Sequence, residues 1–240
     1  MKTFAVLGAT ALIASSASAQ SPQFTGYSVT RAINSAGNTQ YRIYANFNVS
    51  NITFLNAFDL GVAYTGLPAS TGSMNAYHSG LGESTWIPQG TSTASHQNDD
   101  SWVTSTGTHV GSQTALDPSF VESDADGNPI PAALAQPPVA SGWYDATPST
   151  ANAVGAGSLG GFAGQNASGG FQILLMNIVR QGDDSTVDSL YRTTLRSGFK
   201  IANTTQALFG AGTFTIGAVV PTPGALALLG LAGAFGRRRR

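Results

Sequence analysis

Period-two alternation of apolar and polar residues recurs along the chain, and that spacing predicts strands whose two faces meet different surroundings. In QYRIYANFNVS, Tyr41, Ile43, Ala45, Phe47 and Val49 fall on one face, with Arg42, Tyr44, Asn46 and Asn48 on the other, as in a half-buried strand. Phe54, Asn56, Phe58, Leu60, Val62 and Tyr64 are expected to share a second apolar face, and Tyr191, Thr193, Leu195, Ser197, Phe199 and Ile201 a third. FTGYSVTR near the start and GTFTIGA near the end read as terminal strands. The segment from Ile173 to Val179 is apolar except for Asn177, which suits a central strand covered on both sides.

No stretch between these segments carries a convincing helical stripe. The expected fold is therefore all-β: an antiparallel β-sandwich of the jelly-roll kind, because one open sheet would leave an apolar face wet. Between about residues 66 and 170 the alternation weakens into a long Gly, Ser, Thr and Pro-rich region that is read as loops. Trp86, Trp102 and Trp143 lie there, and three tryptophans argue that the region packs.

Composition sharpens this picture. Only 10% of the 240 residues are charged and 29 are glycine, a balance that favours turns and strands over helices. There is no cysteine, which excludes a disulfide framework, a thiolate metal site and a cysteine nucleophile. The formal charge of -1 hides an uneven distribution. Lys2 and Arg237 to Arg240 stand at the ends, leaving Arg31, Arg42, Arg180, Arg192, Arg196 and Lys200 against twelve acidic residues, so the body carries six minus twelve, or -6. A body of that sign lacks the electrostatic footprint of a nucleic-acid binder.

The N-terminus reads MKTFAVLGATALIASSASAQ. Lys2 supplies a positive start, Phe4 to Ala14 a short apolar run, and Ala17-Ser18-Ala19 a small-residue cleavage site before Gln20, which together predict an export signal over 1–19 in a short helix. Residues 20–218 are expected to form one domain. At the other end VPTPGALALLGLAGAFGRRRR places an apolar segment before four arginines, the arrangement that halts translocation with the body outside. Gly224 to Gly236 is thirteen residues, about 20 Å as a helix against a hydrocarbon core of about 30 Å, which suits temporary retention. A plain tail anchor and a buried terminal helix are the alternatives.

The layout of Pro motif, apolar helix and Arg cluster over 219–240 resembles the PEP-CTERM sorting signal of exported bacterial proteins. Val220, Pro221, Thr222 and Pro223 fall on that family's Val-Pro-Glu-Pro motif, with Thr222 in the acidic position, and Arg237, Arg238, Arg239 and Arg240 form its stop-transfer cluster. The resemblance implies handling by the secretion translocon and an exosortase-like membrane protease, transient inner-membrane insertion, and a final place at the cell surface, in the envelope or in the extracellular matrix. YRIYANF and the segment DSWV at Asp100 to Val103 are also similar to uncharacterised exported β-proteins with the same tail, which implies no activity.

Candidate chemistry in the body is sparse. Asp124, Asp126 and Asn128 alternate like the first three oxygen ligands of a calcium loop, but Pro129 stands where an EF-hand needs glycine, leaving loosely bound calcium or a solvated acidic turn. His78, His96 and His109 have no metal-ligand spacing. Ser158 in AGSLG lacks the strand and helix that a nucleophile elbow requires. Glu83, Glu122, Asp183 and Asp184 are the acids from which a glycosidic pair could be drawn. The sequons at Asn48, Asn51, Asn166 and Asn203 are expected by chance in so Asn, Ser and Thr-rich a chain. The expectation is a non-enzymatic exported surface protein without a cofactor. The rivals are a carbohydrate-binding module stacking sugars on Trp86, Trp102, Trp143 or Tyr144, those aromatics otherwise being core, and a secreted hydrolase.

Overall fold

The computed structural model describes residues 21, 23–64, 76, 86, 99–105, 114–117, 140–146, 154–155, 170–184 and 189–218. These residues form ten strands in two antiparallel sheets, with no helix among them. The strands are β1 (Phe24–Ile33), β2 (Thr39–Phe47), β3 (Ile52–Tyr64), β4 (Trp102–Val103), β5 (Thr114–Leu116), β6 (Ser141–Asp145), β7 (Val154–Gly155), β8 (Phe171–Arg180), β9 (Ser189–Ile201) and β10 (Leu208–Ala218). The first sheet runs β1-β2-β8-β4, with β7 also on β8; the second runs β10-β9-β3-β6-β5. Signal and tail lie outside the described residues, and no helix among the described residues is long and apolar enough to cross a membrane.

The two sheets are stitched by chain crossings at opposite ends. From Phe47 the chain passes to Ile52 at the end where β8 begins, whereas from Arg180 it passes to Ser189 at the end where β8 finishes. Aromatic rings fill the space between the sheets: Phe47 meets Phe199 at 5.0 Å, Phe24 meets Phe47 at 5.8 Å, and Tyr27 meets Phe214 at 5.6 Å, edge-on in each case. Edge-on contact sets ring hydrogens against π-faces, adding to the area each ring removes from water. The edge strands β1 and β10 close against one another. A Cβ on Gly210 would run into the Phe24 ring, so the approach depends on that residue being glycine.

On β9 the expected face is the observed one: Tyr191, Thr193, Leu195, Ser197 and Phe199 are buried, while Arg192, Thr194 and Arg196 are exposed. β8 is buried on both faces, as its apolar run predicts. β2 departs from expectation, since all nine residues are buried, including Gln40, Arg42 and Asn46. Gln40 there is bonded rather than solvated: its Nε2 donates to Asn177 Oδ1 at 2.8 Å, and Asn177 Nδ2 donates to the Asp100 carbonyl at 2.7 Å.

β3 corrects the simple alternation. Its pairing with β9 shifts between Phe54 and Asn56 and again between Phe58 and Gly61, so that beyond the buried Ile52 and Thr53 the buried residues are Phe54, Ala57 and Leu60. Each bulge adds a residue and turns the following side chains to the other face. Asn56 and Phe58 therefore point away from the core. Asp59 sits in the second bulge at a φ of 53°, a left-handed conformation that Asp tolerates and a β-branched residue does not. Asp59→Val should cost about 1–2 kcal/mol in denaturant unfolding while Asp59→Asn stays near neutral.

Buried tyrosines give the body an alkaline limit. Burial pushes the Tyr27 phenol well above its ordinary range, with its 2.7 Å hydrogen bond to Ser197 acting in the opposite direction. Burial and then the Asp184 carboxylate raise Tyr41 similarly. Above about pH 10 the unfolded chain releases these protons while the folded chain keeps them, so stability falls as pH rises, by about 1.4 kcal/mol per pH unit for each tyrosine. Tyr44, raised by burial, acts in the same sense, whereas Arg42, lowered by burial to about 10, acts oppositely. A urea titration series from pH 9 to 11 should show the midpoint steady and then dropping.

Candidate functional site

Two polar features stand out, and they differ in kind. At the pole where β8 ends, Asp184 is 3% exposed and receives donors from three residues: Arg180 Nη1 at 2.7 Å, Tyr41 Oη at 2.6 Å, and Arg31 through Nη2 at 3.0 Å and Nε at 3.2 Å. Arg31 Nη2 also reaches Asp183 at 2.7 Å. Burial opposes the Arg31 charge, but the bonds to Asp184 and Asp183 outweigh it and hold the pKa above the ordinary range. The Asp184 backbone N–H donates to Thr39 Oγ1 at 2.9 Å, whose hydroxyl donates to the Gly182 carbonyl at 2.8 Å. A carboxylate so occupied is a clamp tying the turn after β8 to β1 and β2. Of the candidate acids, Asp183 and Asp184 thus share a cation instead of facing each other across a cleft, and Glu83 and Glu122 lie outside the described residues.

The second feature is the outer face of the second sheet. Tyr144 on β6, Asn56 on β3, Gly198 on β9 and Phe209 on β10 are in register across four strands. Tyr144 and Phe209 are 45% and 44% exposed, and three inter-strand steps put them about 14 Å apart. A Cβ on Gly198 would collide with the Asn56 side-chain oxygen, so the amide lies flat across the glycine between the two rings. One row along, Phe58 packs edge-on against Phe209 at 6.3 Å and carries the Arg196 guanidinium 5.3 Å above its ring. Arg196 also pairs with Asp59 at 3.1 Å, both side chains about half exposed. An open depression of about 430 Å³ lies beside this pair, lined in part by Thr194, Ala211 and Thr213.

Charge is distributed unevenly between the sheets. Of the body's six basic residues, Arg31, Arg42 and Arg180 belong to the first sheet, where Arg42 and Arg180 are buried and Arg31 is tied to two aspartates. The other three, Arg192, Arg196 and Lys200, recur every fourth residue on the outward side of β9.

The tryptophans proposed for sugar stacking stand elsewhere. Trp86, Trp102 and Trp143 are 1%, 0% and 1% exposed, which makes them packing residues. Trp143 Nε1 donates to the Thr104 carbonyl at 3.0 Å, and Trp102 packs with Tyr44 and Leu174 away from the main core. Tyr144 is the one aromatic of that set turned to solvent. Phe58 and Phe209 were missed by the sequence reading, Phe58 because alternation assigned it to the core. Asp124, Asp126, Asn128, His78, His96, His109 and Ser158 lie outside the described residues, and among the described residues no three metal-binding side chains gather. No protein-family model, curated protein or solved structure matches the chain.

Proposed function

We propose that the chain is a non-enzymatic exported protein whose body is a closed β-sandwich, held for a time by its C-terminal segment and then attached to the cell surface or released into the envelope or extracellular matrix. The observation that carries this reading is the placing of the body's two ends. Ser21 N–H bonds to the Phe209 carbonyl at 3.0 Å, so the chain enters where β10 begins, while β10 ends at Ala218 against Ser189 at the other pole. Eleven residues of β10 separate the poles by about 35 Å. A segment leaving after Ala218 would hold the body by one pole and leave the whole outer face of the second sheet clear.

Contacts of Phe24 and Phe47 with Phe199 support a sandwich. Its crossings are interlocked: β2 to β3 and β8 to β9 both pass from the first sheet to the second, whereas a jelly-roll ribbon would run its paired segments in opposite senses. The N-terminal signal, with Ala17, Ala19 and Gln20 at its cleavage site, and the tail bearing Val220, Pro221, Thr222, Pro223 and Arg237 to Arg240 supply the address. An exosortase-like protease is the processing partner this address implies.

The test places an epitope between Thr205 and Gln206, both exposed in the loop joining β9 to β10. Antibody should label intact cells, and deletion of 219–240 should move the protein into the medium. Protein found only in the cytosolic fraction would overturn the reading.

A further inference from the structure

We infer that the outer face of the second sheet binds an acidic polysaccharide, with Tyr144 and Phe209 as stacking platforms and Arg192, Arg196 and Lys200 as carboxylate partners. The inference deepens the surface-protein reading and rests on it only for where the ligand is met.

Three observations converge on this ligand. Two large rings are nearly half exposed in a chain that buries all three of its tryptophans, and they share one face with a half-buried third ring, Phe58. A ring face offers apolar area to the C–H side of a sugar, and Tyr144 adds a hydroxyl. Between the rings the floor is low, because Gly198 has no side chain and the Asn56 amide lies over it, presenting both a donor and an acceptor to sugar hydroxyls.

Charge selects the acidic class. The three cations of β9 lie on its outward side, where Asp59, paired with Arg196, is the one strand carboxylate exposed beside them among the described residues, on a body whose sum is -6. Charges beyond about 8 Å are largely screened at physiological salt, so a polyanion meeting this face responds to the local cations. The number of cations then separates a glycan from a duplex nucleic acid. Residues four apart on a strand stand about 13 Å apart, so the row meets some but not all of the carboxylates of a uronic-acid polymer. Duplex DNA carries one charge per ~1.7 Å of axis and gains affinity from many phosphate contacts, which three cations do not supply.

The experiment uses the full chain and four probes: alginate, neutral dextran, oligothymidylate, and vesicles of mixed phosphatidylglycerol and phosphatidylcholine. Alginate should be bound, more weakly as salt rises, and dextran should be bound much less. Arg192→Gln combined with Lys200→Gln should weaken alginate binding about tenfold and flatten its salt dependence. Tyr144→Ala combined with Phe209→Ala should weaken it by a similar factor while leaving the salt slope unchanged. All four positions point outward, and matching thermal melts confirm that the variants fold.

No alginate binding, variants that bind as the parent does, or tighter binding to oligothymidylate or vesicles would each overturn the inference. The outcomes are separable from the localisation test. Alginate binding by a protein found in the cytosol removes the surface reading alone, and a surface protein blind to alginate removes this inference alone.

Discussion

Replacing Asp184 with alanine should destabilise the body by about 3–5 kcal/mol, a fall in melting temperature of roughly 6–20 °C for a domain of this size. The reason is what remains behind. Arg180 is 9% exposed at the side chain, and its Nη1 loses the carboxylate 2.7 Å away that balances its charge. Tyr41 loses the acceptor 2.6 Å from its hydroxyl, and Arg31 loses the better buried of its two partners. The Arg180 guanidinium also lies 5.7 Å from the Tyr191 ring, a contact that attracts a cation without neutralising it. Asp183→Ala is the matched control, because that carboxylate is 55% exposed and an exposed pair contributes about 0–1 kcal/mol. Urea unfolding of both variants checks the contrast. Equal losses would mean that Asp184 is not the clamp described.

Trp143→Ala should cost about 3–5 kcal/mol, the range for emptying the site of a buried aromatic ring. The indole is 1% exposed, lies on β6 between its pairing partners Ala57 and Leu116, and donates to Thr104 just beyond β4 of the other sheet. It therefore fills the core and fastens the two sheets together at once. Trp143→Phe keeps most of the ring but removes the donor to the Thr104 carbonyl, so about 1–3 kcal/mol should be lost. Tyr144→Ala, one residue on, faces solvent and should stay within about 0.5 kcal/mol. A full loss at 144 and none at 143 would reverse the assignment of the two faces of β6.

These two residues mark how far the sequence could be read. β9 was legible because it is a regular strand, and strict alternation from Tyr191 to Ser197 is all that its burial requires over that stretch. β8 was legible because an uninterrupted apolar run has few other places to go. β3 was only half legible. Its apolar residues count correctly, but two bulges decide which of them face the core, and a bulge is fixed by pairing with β9, information the local sequence of β3 does not hold. Phe58, central to the proposed binding face, was hidden for that reason.

β2 failed in the other direction. Arg42 and Asn46 look solvated in a local pattern, yet they are buried because segments distant in sequence cover them. The Asp184 clamp was visible only as two adjacent acids, since Arg31 stands 153 positions away. The tryptophans could be read as core or as platforms from composition alone, and only burial separates the two. The even step of four from Arg192 to Lys200 was present in the sequence from the start. Its meaning depends on knowing that the body's remaining cations are buried or paired.

The most direct test of the whole account is the intact mass of the protein recovered from the outside of the cell. A chain beginning at Gln20 and ending before Arg237 is the expected result, since it requires passage outward, retention and processing in turn. A chain recovered there that still begins at Met1 or still carries Arg237 to Arg240 would contradict it.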